Sequence, residues 1–324
     1  MGGKKRRYLT VIKWAVGILA VIIIVLLYGV VPWFLSNFVT TNNFRFHDRN
    51  AGRTPAMLGM PFRDTAFESS DHIPLKGWYI PSDTAGGGAA KGTIVYCHGL
   101  HRSRVEMLPM AQFGHSLGYD GVLFDFRNHG LSGGHVTSIG YWERLDVEAA
   151  VQDALARENA PHPVIVWGVS MGAAAALMAA AEDPQINAVI SDSTFLSFDR
   201  VIQHHYHLIV HLLRQHWWWF PPLPSFPMTN EIIALCAWRA DFRPSAFNLE
   251  TAVQHIAPRP ILFVAVKNDV RMPPQIARTL YSLDDAPVKA IVVVPGRRHG
   301  EGFNESRAPY EAAVAEFLAR IKGH

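Results

Sequence analysis

Hydrophobic residues are distributed along this chain in three ways, and each predicts a different kind of structure. Residues 14–35 contain no charged side chain, and 16–27 are almost purely aliphatic. As a helix, such a run is long enough to cross a hydrocarbon core of about 30 Å. Beyond about residue 64 the apolar residues come in short runs separated by polar or glycine-containing turns. An antiparallel strand pair is expected over 65–70 and 73–81, then strands at 92–97, 121–126, 164–169, 186–190, 260–266 and 288–294. Between them, helices are expected near 104–117, 142–158, from 171 onward, 274–283 and 307–321. Strands alternating with helices of this length predict an α/β fold, a doubly wound and mostly parallel sheet with an antiparallel edge.

The third pattern interrupts the alternation. From about 195 to 254 there is no strand signal but a dense apolar and aromatic block, read as a helical cap inserted over the sheet. It holds His204, His205, His207, His211 and His216, followed by Trp217-Trp218-Trp219-Phe220 and a proline-rich turn. His207 and His211 are spaced to share a helical face, but no acidic third ligand has matching spacing, so no metal site is assigned. The tryptophans have three readings: packed inward, lining a hydrophobic substrate channel, or dipping into a bilayer.

Charge sharpens the reading of the N-terminus. The 324-residue chain carries +3, yet Lys4, Lys5, Arg6, Arg7 and Lys13 supply five positive charges within residues 1–13, leaving −2 on the remainder. That remainder has no basic face for nucleic acid, so no nucleic-acid partner is expected. The basic cluster should stay cytoplasmic, which makes residues 14–35 a single-pass signal anchor with the bulk of the chain on the far side. A cleaved signal peptide would have a shorter apolar core and a small-x-small site, where this chain has Tyr28-Gly29-Val30-Val31-Pro32-Trp33. Residues 36–63 then read as an irregular polar stalk, 64–324 as the globular domain, and the Gly/Ala-rich stretch 83–92 as an exposed connection. Cys97 and Cys236 allow at most one disulfide, and Cys97, inside a central strand, reads as a buried thiol.

Chemistry concentrates at the ends of the strands. The run 164–169 turns directly into an alanine-rich helix through Gly168-Val169-Ser170-Met171-Gly172, with no residues to spare for a loop. A strand that bends this sharply into a helix needs Gly168 and Gly172 where any Cβ would collide, and it leaves Ser170 exposed at the helix N-terminus. A serine nucleophile needs a base, an acid to orient the base, and donors for the oxyanion. In a doubly wound sheet all should sit at carboxyl ends of strands. His299, between the last strand and last helix, is the expected base. Asp269, just past 261–266, is the expected acid, with Asp192 past 186–190 as the alternative. The N–H groups of Met171 and Leu100 are the expected oxyanion donors, Gly99 letting the latter backbone approach. His98, Asp125, Arg127, His129 and Gly130 read as loop-bracing residues beside the site.

Together, Gly168 to Gly172, His98-Gly99, the run Asp125-Phe126-Arg127-Asn128-His129-Gly130-Leu131-Ser132-Gly133-Gly134, Asp269 and His299 resemble the α/β-hydrolase superfamily. Within it the chain is similar to serine-aminopeptidase-like hydrolases, including membrane-anchored members with one N-terminal span. The resemblance covers about residue 65 to the end, apart from the cap. It implies a serine hydrolase without a cofactor, acting on esters, thioesters or amides. Two features depart from the family: Ala265-Val266 stands where His-Gly often precedes the acid loop, and the cap is longer and more aromatic. The expected function is a membrane-anchored carboxylic-ester hydrolase for a fairly apolar acyl substrate. An amidase, peptidase or thioesterase would use the same triad, and a non-catalytic lipid-binding or scaffold protein is the reading from another class.

Overall fold

A single helix opens the chain in the computed structural model, which describes residues 2–41, 51–82, 89–157 and 160–321. Helix α1 (Gly2–Val25) passes through one π-turn, Leu26–Val30, into α2 (Val31–Thr40). The Val31 N–H reaches back to the Leu26 carbonyl, and the next residue, Pro32, has no N–H to place. From residue 6 to 26 the helix is exposed on every side. Its second half is different: Leu27, Val31, Leu35 and Val39 pack against the main hydrophobic core, and Pro32, Ser36 and Thr40 are buried.

The expected stalk therefore begins differently from its reading as irregular chain. Helix continues to Thr40, docked on the body. The physical reason lies in the hydroxyls. Ser36 Oγ donates to the Trp33 carbonyl at 2.9 Å and Thr40 Oγ1 to the Ser36 carbonyl at 2.8 Å, so these polar groups are buried already satisfied. Residues 42–50 of the expected stalk and 83–88 of the expected connection lie outside the described residues.

Eight strands form one sheet in the order β1-β2-β4-β3-β5-β6-β7-β8. They are β1 (Arg63–Glu68), β2 (Pro74–Ile80), β3 (Thr93–Cys97), β4 (Asp120–Asp125), β5 (Val164–Val169), β6 (Ala188–Asp192), β7 (Ile261–Val266) and β8 (Lys289–Val294). Strand β2 pairs antiparallel with both β1 and β4, and all other pairings are parallel. The sheet is thus mostly parallel with an antiparallel edge, as the alternation predicts. Strands β3 to β7 are buried throughout, which their continuous apolar sequences require.

Helices cover both faces. On one side α4 (Glu143–Leu155), α5 (Met171–Glu182), α8 (Leu249–Ile256) and α9 (Pro274–Leu283) share the larger core. On the other, α3 (Leu108–Ser116), α10 (Gly302–Glu305) and α11 (Arg307–Arg320) pack on the sheet. The cap consists of α6 (Phe198–His216) and α7 (Met228–Ala240). Residues 249–254, expected within it, belong instead to α8 on the body: Leu249, Ala252, Val253 and Ile256 are buried on one face, and the helix packs against the alanine-rich α5. Strand order reverses direction at β3, so the carboxyl ends of β3 and β5 flank a crevice where a ligand can reach the backbone.

Candidate active site

The turn out of β5 is built by close backbone approach. Ser170 has φ 55° and ψ −114°, a strained conformation that a non-glycine residue adopts only under local compulsion. A Cβ on Gly168 would lie 2.3 Å from the Gly172 carbonyl oxygen, and one on Gly172 would lie 2.2 Å from that of Cys97. The two glycines let β5, the first turn of α5 and the end of β3 converge. The Ser170 N–H is held by the Asp192 carbonyl at 2.8 Å.

Ser170, His299 and Asp269 form one hydrogen-bonded chain. His299, in the loop after β8, accepts from the Ser170 hydroxyl at Nε2 (2.8 Å) and donates from Nδ1 to Asp269 Oδ2 (2.7 Å). The loop itself is pinned by Glu305, whose carboxylate accepts from the Arg297 and Arg298 N–H groups at 2.7 and 3.2 Å. Asp269 leaves β7 and bends back, its other oxygen accepting from the N–H groups of Arg271 and Met272 at 2.8 and 3.0 Å. Burial pushes this carboxyl up, but its hydrogen bond to His299 and the two backbone donors outweigh that and hold it below the usual carboxylate range. Burial pushes His299 down, against the pull of Asp269, and the nearby Arg271 and Arg102 guanidiniums push it down further. Its imidazole is therefore neutral near pH 7, the form able to take a proton.

Asp192 has other partners. It is the last residue of β6, two positions beyond the end expected from the apolar run. Its carboxylate accepts from the Tyr310 hydroxyl at 2.8 Å and the Ser193 hydroxyl at 2.7 Å, so it ties β6 to α11 rather than facing His299.

Met171 follows Ser170 directly, and Gly99, just before Leu100, lies near the end of β5, where a Cβ on it would sit 3.7 Å from the Val169 carbonyl oxygen. Met171 opens α5, where the first N–H groups have no intrahelical acceptor. Leu100 lies two residues past His98, whose carbonyl sits against Gly172. Its loop is braced by Glu106, which accepts from the Gly99 N–H at 2.6 Å. His98 accepts from the Phe126 N–H at Nε2 (3.1 Å) and donates from Nδ1 to the Gly99 carbonyl (2.8 Å). Burial lowers its pKa to about 4. A neutral ring with both nitrogens engaged braces the loop. Asp125 accepts from the N–H groups of Arg104 and Leu131, and a Cβ on Gly130 would overlap its carboxyl at 2.1 Å. Arg127 pairs with both Asp71 (2.6 Å) and Asp146 (2.7 Å).

Five contacts escaped the sequence reading because they join distant segments. The Phe38 ring of α2 lies 5.0 Å from that of His101, next to Leu100. The Thr40 carbonyl accepts from the Thr137 N–H at 2.9 Å, and Thr137 Oγ1 in turn touches Met171 Sδ at 3.7 Å. The last turn of the first helix thus meets the neighbours of both expected oxyanion donors. On the cap, His204 Nε2 donates to the Val270 carbonyl (2.9 Å), and Arg271 Nε lies 3.4 Å from His205 Nε2. Two of the histidines that invite a metal reading are therefore used to hold α6 against the Asp269 loop. Among the described residues no group of three His, Cys, Asp or Glu is placed to hold a metal ion. Cys97 and Cys236 are buried free thiols. The inward-packed reading of the indoles fails: Trp217, Trp218 and Trp219 are 42, 91 and 64% exposed.

Such an assembly can pass a proton from a serine hydroxyl to an imidazole held by a carboxylate. Comparisons with known proteins support a hydrolase. Residues 88–243 match the family described as "Serine aminopeptidase, S33". The chain is 28% identical over 247 residues to the uncharacterized protein YqkD of Bacillus subtilis, covering 75% of each. It is 25% identical over 256 residues to the uncharacterized protein YfhR of Escherichia coli O157:H7, covering 78% of each. Among solved structures it superposes on an esterase of Pyrococcus furiosus with a TM-score of 0.69 at 24% identity, covering 88% of this chain and 99% of that one. An acylaminoacyl peptidase of Pyrococcus horikoshii superposes at 0.58 and 18% identity, covering 82% of this chain and 42% of that one. The chain has the α/β-hydrolase fold and, within it, resembles the serine aminopeptidase family.

Proposed function

We propose that this protein is a membrane-anchored serine hydrolase whose preferred substrates are carboxylic esters with an apolar acyl group. The observation that carries the reading is the continuous chain Ser170–His299–Asp269, with distances of 2.8 and 2.7 Å, at the strained turn from β5 into α5. Ser170 Oγ attacks the ester carbonyl while His299 Nε2 takes its proton. The N–H groups of Leu100 and Met171 receive the oxyanion. His299 then protonates the departing alcohol, and a water activated by the same imidazole releases the acid from the acyl-enzyme. Asp269 keeps His299 in the tautomer with Nδ1–H, leaving Nε2 free to act.

Esters are favoured over peptides with a free amino terminus by the local charge. The charged groups acting most strongly on His299 are Asp269, already bonded, and the guanidiniums of Arg271 and of Arg102, the latter 3.6 Å from Glu106. A substrate ammonium would meet the Arg271 guanidinium there. The first helix supports the membrane assignment: over residues 6–40 its apolar window has a mean hydropathy of 2.8 and is entirely exposed. Its basic flank favours an N-terminus in the cytoplasm, with the hydrolase domain on the opposite side. The family likeness keeps amide and thioester cleavage by the same groups as the second reading.

The test uses the full chain in detergent. A fluorophosphonate probe should label wild-type protein at Ser170 and leave Ser170→Ala unlabelled. Turnover measured over acyl esters of graded chain length, thioesters and aminoacyl amides should be highest for a medium or long ester. Absence of an adduct on folded protein, with no turnover above the background seen for Ser170→Ala, would overturn the hydrolase reading and leave lipid binding without chemistry.

A further inference from the structure

The length of the first helix that is free of protein carries a consequence for the cap. The helix is bare from residue 6 to residue 26, and from Leu27 one face of it is packed on the body. From Arg7 to Leu27 it rises about 30 Å, and from Lys13 to Leu27 about 21 Å. A hydrocarbon core is about 30 Å thick. With Arg7 at one boundary, Leu27 lies at the other; with Lys13 there, Leu27 lies about 9 Å inside it. In either case the protein surface that packs on one face of the helix from Leu27 begins at the headgroup boundary or below it.

That surface belongs to the cap. Helix α7 touches the π-turn at 26–30. Tyr28 is close enough to act electrostatically on Tyr206, and the Tyr206 hydroxyl donates to the Pro224 carbonyl at 3.0 Å. Pro224, within the connection between α6 and α7, is therefore tied through Tyr206 to the neighbourhood of the π-turn. Residues 217–227, which form this connection, carry no charged side chain. Trp218 and Phe226 are 91 and 72% exposed, an area costly to keep in water. Indoles flanked by prolines and free of charge suit the boundary between acyl chains and headgroups.

We propose that the cap tip, Trp217–Trp219 with Phe226, is seated in the bilayer leaflet from which the helix emerges. The cap then rests on lipid, and an acyl substrate reaches the site from the leaflet instead of through water. This rests on the first helix being a membrane span, so the test separates the two.

Because Cys97 and Cys236 are fully buried, a nitroxide can be attached to single introduced cysteines in the full chain. The sites are Trp218→Cys, Phe226→Cys, Ile22→Cys in the bare helix and Glu316→Cys on α11. The protein is reconstituted into vesicles of dioleoylphosphatidylcholine and dioleoylphosphatidylglycerol, and collision with oxygen is compared with collision with a water-soluble nickel chelate. Labels at 22, 218 and 226 should favour oxygen several-fold over the label at 316. A lipid-like signal at 22 with water-like signals at 218 and 226 would overturn the seating of the cap while leaving the span intact. A water-like signal at 22 would overturn both.

Discussion

The ends of β6 and β7 look alike in sequence and behave as opposites in the structure. Each is a buried apolar strand followed closely by an aspartate, and Asp192 and Asp269 are 0 and 3% exposed. At the end of β7 the chain turns so that two backbone N–H groups and the His299 imidazole all donate to Asp269. At the end of β6 the donors are two neutral hydroxyls, from Ser193 and Tyr310. Burial raises Asp192 to about 6, more than its two hydrogen bonds pull it down, and the nearby Asp269 charge adds to the rise. Burial also acts on Asp269, yet there the donors win and the pKa falls. Whether a buried carboxyl stays charged is decided by what donates to it, not by how deep it lies. A carboxyl that must stabilise an imidazolium has to be the charged one.

The contrast can be broken most sharply by exchanging each carboxylate for its amide. Asp269→Asn should lower ester turnover by about 10³–10⁴-fold, since the amide can hold His299 in the wrong tautomer. Asp192→Asn should keep turnover within a few-fold and act on stability. It removes an acceptor from one of two buried hydroxyls, costing about 1–3 kcal/mol. The sign with pH follows from the raised value. Asp192 binds its proton more tightly folded than unfolded, so its contribution is greatest below the unfolded value of 3.8 and declines as pH rises through about 6. Thermal melts in detergent should therefore show the deficit of Asp192→Asn largest near pH 4 and shrinking toward pH 7. Turnover collapsing in Asp192→Asn and surviving in Asp269→Asn would move the acid to β6.

Much of this arrangement was legible because it is local in the chain. The turn at Ser170 shows itself through two glycines set around one serine between a strand and a helix, and the strand alternation gives the sheet. Choosing between Asp192 and Asp269 was not a local matter. It depends on the direction each loop takes after its strand, which Arg271 and Met272 settle through backbone N–H groups that every residue possesses. The apolar run also misplaced β6 by two residues, because Ser191 and Asp192 extend the strand with polar side chains. Ser36 and Thr40 read as surface for a related reason, since a hydroxyl bonded within its own helix leaves no trace in composition. The bracing at His101 by Phe38 joins residues far apart in sequence, and neither position has a local pattern.

A smaller effect sharpens the same comparison through Arg271. Its backbone donates to Asp269 while its guanidinium lowers His299. Arg271→Gln keeps the backbone donor and removes the charge, so the acid limb of kcat/KM should move to higher pH by less than about one unit. In the wild type that limb should lie below the ordinary histidine value of 6.5, because burial and the two guanidiniums outweigh Asp269. Asp192→Asn should leave the limb close to its wild-type position, since the Asp192 carboxylate is bonded to the Ser193 and Tyr310 hydroxyls.

The smallest expected change comes from Tyr310→Phe, which deletes one donor to Asp192 and nothing at β7. The Tyr310 ring is fully buried and stacks on Trp167 at 6.0 Å, and its hydroxyl also receives the Trp167 Nε1–H at 3.3 Å. Phenylalanine preserves the ring packing, so the loss should be limited to about 1–2 kcal/mol from the hydroxyl. It should also carry a pH signature. Without Tyr310 donating to its charged form, Asp192 should titrate at still higher pH, so the loss of stability on raising pH should extend above about 6. Turnover measured on the same preparation should match wild type at every pH. A drop of an order of magnitude or more would show that the end of β6 reaches the chemistry after all, through the Ser170 N–H that the Asp192 carbonyl holds.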